Sequence, residues 1–181
     1  NGGGYPEMVQ YLCSYFFRDP VHLNSLYWRE GARTQEFWSL AEVGGKKMPN
    51  VPLFVLTSEK TFSAAEEFAY NMQTQKRATL VGQTTRGGAN PGRVMRLNDK
   101  LEAIIPVGKA INPVTRTNWE GVGVVPDIAS SNVETIVKAH ELAKVAAQKY
   151  AASRRQHHED LSGKLVDVLE SFEPESGEES V

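Results

Sequence analysis

The sequence contains one cysteine, no long apolar run and no marked excess of charge of either sign. Because Cys13 has no second thiol to pair with, a scaffold held by internal disulfides is excluded. No apolar segment approaches the roughly 20 residues that a membrane-spanning helix needs. The formal net charge of -2 gives no electrostatic reason to expect an anionic partner, and we predict no nucleic-acid partner.

What is present is the composition of an ordinary globular protein. The 181 residues are 40% hydrophobic and 23% charged, which is enough for one sizeable core and one or at most two domains. The chain opens with Asn1-Gly2-Gly3-Gly4, without an initiator methionine or a signal peptide. Because glycine turns of this kind usually follow a strand, we expect the chain to be a piece of a longer protein.

The most informative segment, residues 61–68 (TFSAAEEF), lies between a predicted strand and a predicted helix. The apolar run 51–57 is typical of a short buried strand, and the apolar spacing of residues 64–75 favours a helix. Ser63 therefore lies beside unpaired N–H groups and the positive end of a helix dipole, where an anionic transition state is stabilised. The alternative is structural, because Ser63 and Glu66 also match a capping box.

The rest of the chain alternates predicted strands and helices, which indicates an α/β layer fold. Further helices are expected at residues 5–17 and from residue 132 or 133, with Asn132 as N-cap, to about residue 151. Strands at residues 21–29 and 34–40 are expected to be exposed or to form a hairpin. A second buried strand is predicted at residues 77–82, and paired strands are predicted at residues 93–97 and 101–107.

The C-terminal part is predicted to lie outside the core. We expect a core domain over residues 1–151, then a linker and amphipathic helix over residues 152–172, and an acidic disordered tail over residues 173–181. Within the second segment, residues 154–160 are expected to form a solvated joint and residues 161–172 an apolar stripe.

Other side chains capable of chemistry have a simpler structural interpretation. Cys13 is predicted to be a buried helical thiol, and His140 is predicted to pack on the apolar face of the long helix. The pair His157-His158 has no companion ligands at helical spacing, so we predict no zinc site. No metal and no cofactor are expected.

Four motifs, in order along the chain, resemble the tail-specific (C-terminal processing) serine peptidases. They are residues 1–6 (NGGGYP), 56–66 (LTSEKTFSAAE), 76–88 (KRATLVGQTTRGG) and 118–127 (NWEGVGVVPD). The closest likeness is to the branch that includes bacterial homologues of interphotoreceptor retinoid-binding protein. The resemblance implies an α/β fold of ββα units that spiral as in the Clp protease and crotonase superfamily, followed here by C-terminal helices. Relatives of this kind are often exported to the periplasm or outside the cell.

The same resemblance implies the site residues. Ser63 would be the nucleophile, and the amides of Ala64 and of Gly4 or Gly3 would form the oxyanion hole. Glu120 matches the glutamate that completes a tetrad in the tricorn protease arrangement. Its alternative interpretation is a loop carboxylate that accepts backbone N–H groups.

The general base is not supplied in the form that many family members use. Gly88 stands where those members have a lysine, and Arg86, the nearest cation, cannot accept a proton. His22 lies in an alternating segment, and Lys60 and Lys109 are expected to be surface charges. We therefore expect the base to come from outside this chain, and the chain alone to be weak or inactive as a peptidase.

The leading interpretation is a serine-type endopeptidase that cleaves protein or peptide substrates through a serine acyl-enzyme. The alternative is a non-catalytic carrier of an apolar ligand, a retinoid or fatty acid, with aromatic side chains at positions 11, 16, 17, 27, 28, 37 and 38 around its pocket. Ser63 and Glu120 favour chemistry over carriage, since a carrier needs neither. A third interpretation is a homo-oligomerisation module that uses the stripe over residues 161–172.

Overall fold

The computed structural model describes residues 1–171, so the tail predicted to be disordered lies outside the described residues. The chain divides into two units, Asn1–Ala143 and Lys144–Val181. A short 3-10 turn lies at Glu30–Ala32. The elements are α1 (Pro6–Ser14), β1 (His22–Trp28), β2 (Arg33–Trp38), β3 (Phe54–Thr57), α2 (Ala64–Thr74), β4 (Thr79–Gly82), β5 (Gly92–Arg96), β6 (Glu102–Pro106), β7 (Gly108–Ile111), β8 (Ile128–Ala129) and α3 (Thr135–Glu170).

Two three-stranded sheets and a hairpin carry the strands of the first unit. One sheet is antiparallel in the order β2-β1-β7, and the other is parallel in the order β3-β4-β8. The strands β5 and β6 pair with each other. Because β3 and β4 are parallel, the chain must cross over between them, and α2 makes that crossover. The α/β architecture predicted from the sequence is confirmed.

The core consists of two clusters of buried side chains, and α2 contributes to both. Ala69 belongs to the first cluster and Met72, one turn further on, to the second. The first cluster is Leu26, Phe37, Ala69, Leu80, Ala110, Trp119 and Val124, and the second is Val9, Cys13, Phe17, Leu23 and Met72. Packing from both sides fixes α2, and with it the residues at its N-terminus.

The structure corrects the predicted exposure of the first strand. Of the two predicted alternatives, the hairpin is confirmed because β1 and β2 pair antiparallel, whereas the exposed strand is wrong because Leu23 and Leu26 of β1 are buried. The reason is β7, which the sequence analysis did not predict and which pairs with the second edge of β1. A strand that pairs along both edges is covered more completely than an edge strand of a hairpin. Polar side chains of β1 are therefore buried as well.

The structure also corrects the prediction for His140, which is exposed and not packed. The positions of α3 that are buried carry the small side chains of Thr135 and Ala139, whereas Val133 and Ile136 are 85% and 66% exposed. The apolar stripe therefore predicted the wrong face of the helix. The helix is also continuous through residues 154–160, where a joint was expected. No helix within residues 1–171 combines the length and apolarity needed to cross a membrane.

Candidate active site

Ser63 lies in the turn between β3 and α2, in a backbone conformation that is uncommon for a residue with a side chain. Its φ is 56° and its ψ is -121°, and α2 begins at the next residue, Ala64. A positive φ outside glycine costs free energy, and such positions persist where the surrounding structure fixes them. The turn directs a half-buried serine to the N-terminal end of a helix.

The capping interpretation of Ser63 is confirmed, because both halves of the capping box are present. Ser63 and Glu66 have the arrangement of a capping box, and the Ser63 N–H donates to Glu66 Oε2 at 2.7 Å. The Ser63 side chain faces the backbone N–H of Glu66 in return, which is the other half of the box. Ser63 and Glu66 therefore close the start of α2 together, and this capping role does not exclude a second role for the serine.

Glu66 is fully buried and joins the serine turn to the loop that follows β4. Its Oε1 accepts the Thr85 hydroxyl at 2.5 Å and the Gly87 N–H at 2.6 Å. Its Oε2 accepts the Gly88 N–H at 2.9 Å as well as the Ser63 N–H. Four donors compensate the burial of this carboxylate, so the serine turn and the loop are held as one rigid arrangement.

The glycine turn at the start of the chain lies against the serine turn. A Cβ built on Gly3 would lie 4.0 Å from Ser63 Cβ, and one built on Gly4 would lie 3.4 Å from Ala64 Cβ. The Ala65 N–H donates to Gly2 O at 3.2 Å. Within residues 1–171, the N–H groups of Gly3, Gly4 and Ala64 donate to no protein acceptor. Three free amides thus lie beside one serine.

A cavity of about 590 Å³ borders these amides. Its walls come from the glycine turn, the face of α1, the end of β3 and the first turns of α2 and α3. Most of its lining is apolar, and it includes Gly3, Gly4, Tyr5, Met8, Leu12, Val55, Leu56, Ala64, Phe68 and Ile136. An apolar cleft with a few free polar donors is the usual form of a site for a small group or a substrate side chain.

Glu120 binds the next two residues of the loop that Glu66 holds. Its Oε2 accepts the N–H groups of Ala89 at 2.7 Å and Asn90 at 2.8 Å. The neighbouring Trp119 is buried, and its Nε1 donates to Gly88 O at 3.2 Å. The structure thus brings the motif at residues 118–127 to the loop of residues 87–90, and the Glu120 carboxylate binds backbone N–H groups of that loop.

The basic residues considered in the sequence analysis have other contacts or are exposed. His22 Nε2 lies 2.9 Å from Ser25 Oγ, and its ring stacks on Trp38 with centroids 4.7 Å apart. Lys60 and Lys109 are exposed. The expectation that these two lysines are surface charges is confirmed.

Position 88, which the resemblance matched to the lysine of many family members, is covered by an aromatic ring. A Cβ built on Gly88 would lie 2.1 Å from Phe62 Cε2, so any side chain at position 88 requires the ring to move. The local sequence pattern could not reveal this contact, because Phe62 and Gly88 lie far apart in the sequence. The sequence analysis also missed the four hydrogen bonds that Glu66 accepts, since the only local signal at Glu66 was its capping-box spacing from Ser63.

The aromatic side chains considered for a carrier do not line the cavity described above. Phe17 and Phe37 lie in the two core clusters, and Tyr11 packs edge-on against Tyr15. Cys13 is buried, as predicted. No group of three or more His, Cys, Asp or Glu side chains within the described part of the chain is arranged to hold a metal.

Comparison with known proteins identifies the family. The sequence profile of Peptidase family S41 matches residues 1–130. The carboxyl-terminal-processing peptidase 3, chloroplastic, of Arabidopsis thaliana is 31% identical over 86 residues, which are 48% of this chain and 16% of that protein. This chain therefore spans about a sixth of its curated relative.

Solved structures with a similar fold include one that is titled a protease. The photosystem II D1 C-terminal processing protease superposes with a TM-score of 0.56 and 23% identity, over 76% of this chain and 36% of that one. Mature CPAF complexed with lactacystin superposes with a TM-score of 0.64 and 13% identity, over 81% of this chain and 42% of that one. These neighbours confirm the expected fold of the Clp protease and crotonase type. The chain belongs to peptidase family S41.

Proposed function

We propose that this chain is the nucleophile-bearing part of a serine endopeptidase that cleaves protein or peptide substrates through an acyl-enzyme. The observation that carries the proposal is the position of Ser63 in the turn directly before α2, beside three free backbone N–H groups. Backbone donors aimed at one point are what the oxyanion of a tetrahedral acyl intermediate requires. The carrier of an apolar ligand is not favoured, because it needs neither the hydroxyl nor the amides.

In the proposed mechanism, Ser63 Oγ attacks the carbonyl carbon of the scissile peptide bond, and its proton passes to a general base. The carbonyl oxygen becomes an oxyanion that accepts N–H groups from Ala64 and from Gly4 or Gly3. When the C–N bond breaks, the base returns the proton to the departing amine, and the acyl group stays on Ser63 Oγ. Water, activated by the same base, then hydrolyses the ester and restores the serine.

We further propose that this base is a residue from outside the chain. Gly88 has no side chain, Arg86 cannot accept a proton, and His22 is engaged with Ser25 and Trp38. Glu120 is proposed to complete the constellation. Its Oε2 already accepts two amides, whereas its Oε1 has no donor within residues 1–171, so Oε1 is the atom that would orient a base.

The test uses a fluorophosphonate probe on this chain, on the natural protein that contains it, and on Ser63→Ala variants of both. Labelling of the natural protein that disappears in Ser63→Ala supports the serine hydrolase. Weak or absent labelling of the isolated chain supports a base from outside it, whereas equal labelling of both contradicts that part of the proposal. If the natural protein is folded and is not labelled, the peptidase proposal is wrong.

A further inference from the structure

Arg86 is an exposed cation held close to the serine turn. It follows Thr85, whose hydroxyl binds Glu66, and precedes Gly87, whose N–H binds the same carboxylate. The Arg86 N–H itself donates to Thr61 O at 3.0 Å. The backbone on both sides of Arg86 is therefore fixed relative to Ser63, although its side chain is exposed.

The side chain of Arg86 is positioned by Phe62, the residue immediately before Ser63. The centre of the guanidinium lies 5.1 Å from the centroid of the Phe62 ring, within the range of a cation–π contact. The ring in turn packs against Gly88 and is 39% exposed. An aromatic platform of this kind limits the rotamers of the arginine before any ligand binds, so less entropy is lost on binding.

Arg86 has no anionic partner among residues 1–171. The ion pairs of this part of the chain are Arg93 with Glu30 and Arg96 with Asp99, and the side-chain nitrogens of Arg86 donate no hydrogen bond within it. The nearby carboxylate of Glu66 is saturated by four other donors. A guanidinium presents five donors in a planar fork that matches a carboxylate.

We propose that Arg86 binds a carboxylate of the peptide substrate near the scissile bond. This inference rests on the proposed peptidase function and adds a preference for an anionic group. Because the guanidinium lies on the ring of the residue next to Ser63, and an extended peptide advances ~3.3–3.6 Å per residue, the carboxylate belongs within a few residues of the cleaved bond. It is either the free C-terminus of the substrate or the side chain of an aspartate or glutamate.

The experiment uses the natural protein that contains this chain, and a library of short fluorescent peptides in matched forms. The two peptides of the first pair are identical except that one has a free and the other an amidated C-terminus. The two peptides of the second pair differ at one position, which is Glu in one and Gln in the other, and each position is tested in turn. Binding is measured by anisotropy in a Ser63→Ala background, and cleavage is measured with Ser63 present. Each is repeated with Arg86→Gln, with Arg86→Lys, and with Arg96→Gln as a control of equal charge change at an exposed site.

We expect anionic peptides to bind better than their neutral partners, and this preference to fall roughly tenfold in Arg86→Gln, as when a charge-assisted hydrogen-bonded pair is lost. Arg86→Lys should retain part of the preference, and Arg96→Gln all of it. The peptide pair whose preference falls in Arg86→Gln shows whether the bound carboxylate is the C-terminus or a side chain. A preference that is absent, or unchanged in Arg86→Gln, overturns the inference. Failure of fluorophosphonate labelling, with Arg86-dependent binding intact, would instead overturn the peptidase proposal alone.

Discussion

Glu66 accepts the amide N–H of Ser63 at 2.7 Å and the amide N–H of Gly88 at 2.9 Å on the same carboxylate oxygen. This oxygen therefore joins the turn that carries the serine to the loop that follows β4. The positive φ of Ser63 is sustained by that bond, because the donor of the strained residue has a fixed acceptor. Substitutions at Glu66 should consequently affect both the stability of the fold and the reactivity of the serine.

We predict that Glu66→Gln lowers the free energy of unfolding by about 2–5 kcal/mol, because an amide offers one acceptor oxygen and two of the four donors then lose their partner in a buried site. Urea unfolding followed by tryptophan fluorescence measures the loss. Glu59→Gln, at an exposed position of the preceding loop, serves as the control and should unfold like the unmodified chain. An unchanged midpoint for Glu66→Gln would show that Glu66 does not hold the turn.

A second prediction concerns the contact between Phe62 and Gly88. Gly88→Ala should lower the free energy of unfolding by about 1–3 kcal/mol, because its methyl group would lie 2.1 Å from the Phe62 ring and the ring must leave its place. In a Phe62→Ala background the same change should cost much less. A double-mutant cycle by urea unfolding measures this coupling. Additive effects of the two substitutions would mean that the Phe62 ring is not the source of the cost.

The strand–turn–helix segment around Ser63 was predictable because its signals are local. A short apolar run, the Ser63–Glu66 spacing and the apolar face of α2 each lie within a few residues, and the helix was predicted to within one residue of its observed end. The family motifs added the roles of Ala64 and of the glycine turn. Those roles stay predictions, although the free amides and short distances support them.

The features that the sequence did not reveal depend on contacts between distant residues. The pairing of β7 with β1 buries Leu26, and no local pattern marks Gly108–Ile111 as a strand. Likewise, Glu66 gains two of its donors from Gly87 and Gly88, about twenty residues further along the chain. Tertiary contacts of this kind override local periodicity. The membership of the retinoid-binding branch stays a prediction.

Cys13 provides a third test, this one of the second core cluster. Burial, and then the charge of Glu67, raise the pKa of the Cys13 thiol, and the side chain is fully buried. We predict that the folded chain reacts with a disulfide reagent at least an order of magnitude more slowly than the unfolded chain, because the thiolate is the reactive species. Absorbance of the released thiol, with and without urea, measures both rates. Rapid reaction of the folded chain would mean that α1 opens readily.

Glu67, next to Glu66 on α2, is a buried acid that the proposed mechanism does not use. Its Oε1 accepts the Asn24 Nδ2–H at 3.1 Å, and its charge raises the pKa of the Cys13 thiol in α1. Burial, opposed by the Asn24 hydrogen bond and aided by the charge of Glu7, raises the pKa of Glu67 from 4.5 to about 7. The folded state therefore keeps a proton that the unfolded state releases.

Because the pKa of Glu67 is higher in the folded state than in the unfolded state, the sign of the pH dependence of stability is fixed. Below about pH 4.5 both states hold the proton, and Glu67 has no effect on stability. Between that value and about pH 7 only the folded state holds it, so stability falls as the pH rises, by roughly 1.4 kcal/mol for each unit of the shift.

Glu67→Gln keeps the acceptor for Asn24 and removes the ionisation. We predict that urea unfolding shows the variant to be more stable than the unmodified chain at about pH 8 and closely similar at about pH 4. Glu141→Gln, at an exposed position, should show no such divergence, and a constant difference for Glu67→Gln at both pH values would refute the shifted ionisation.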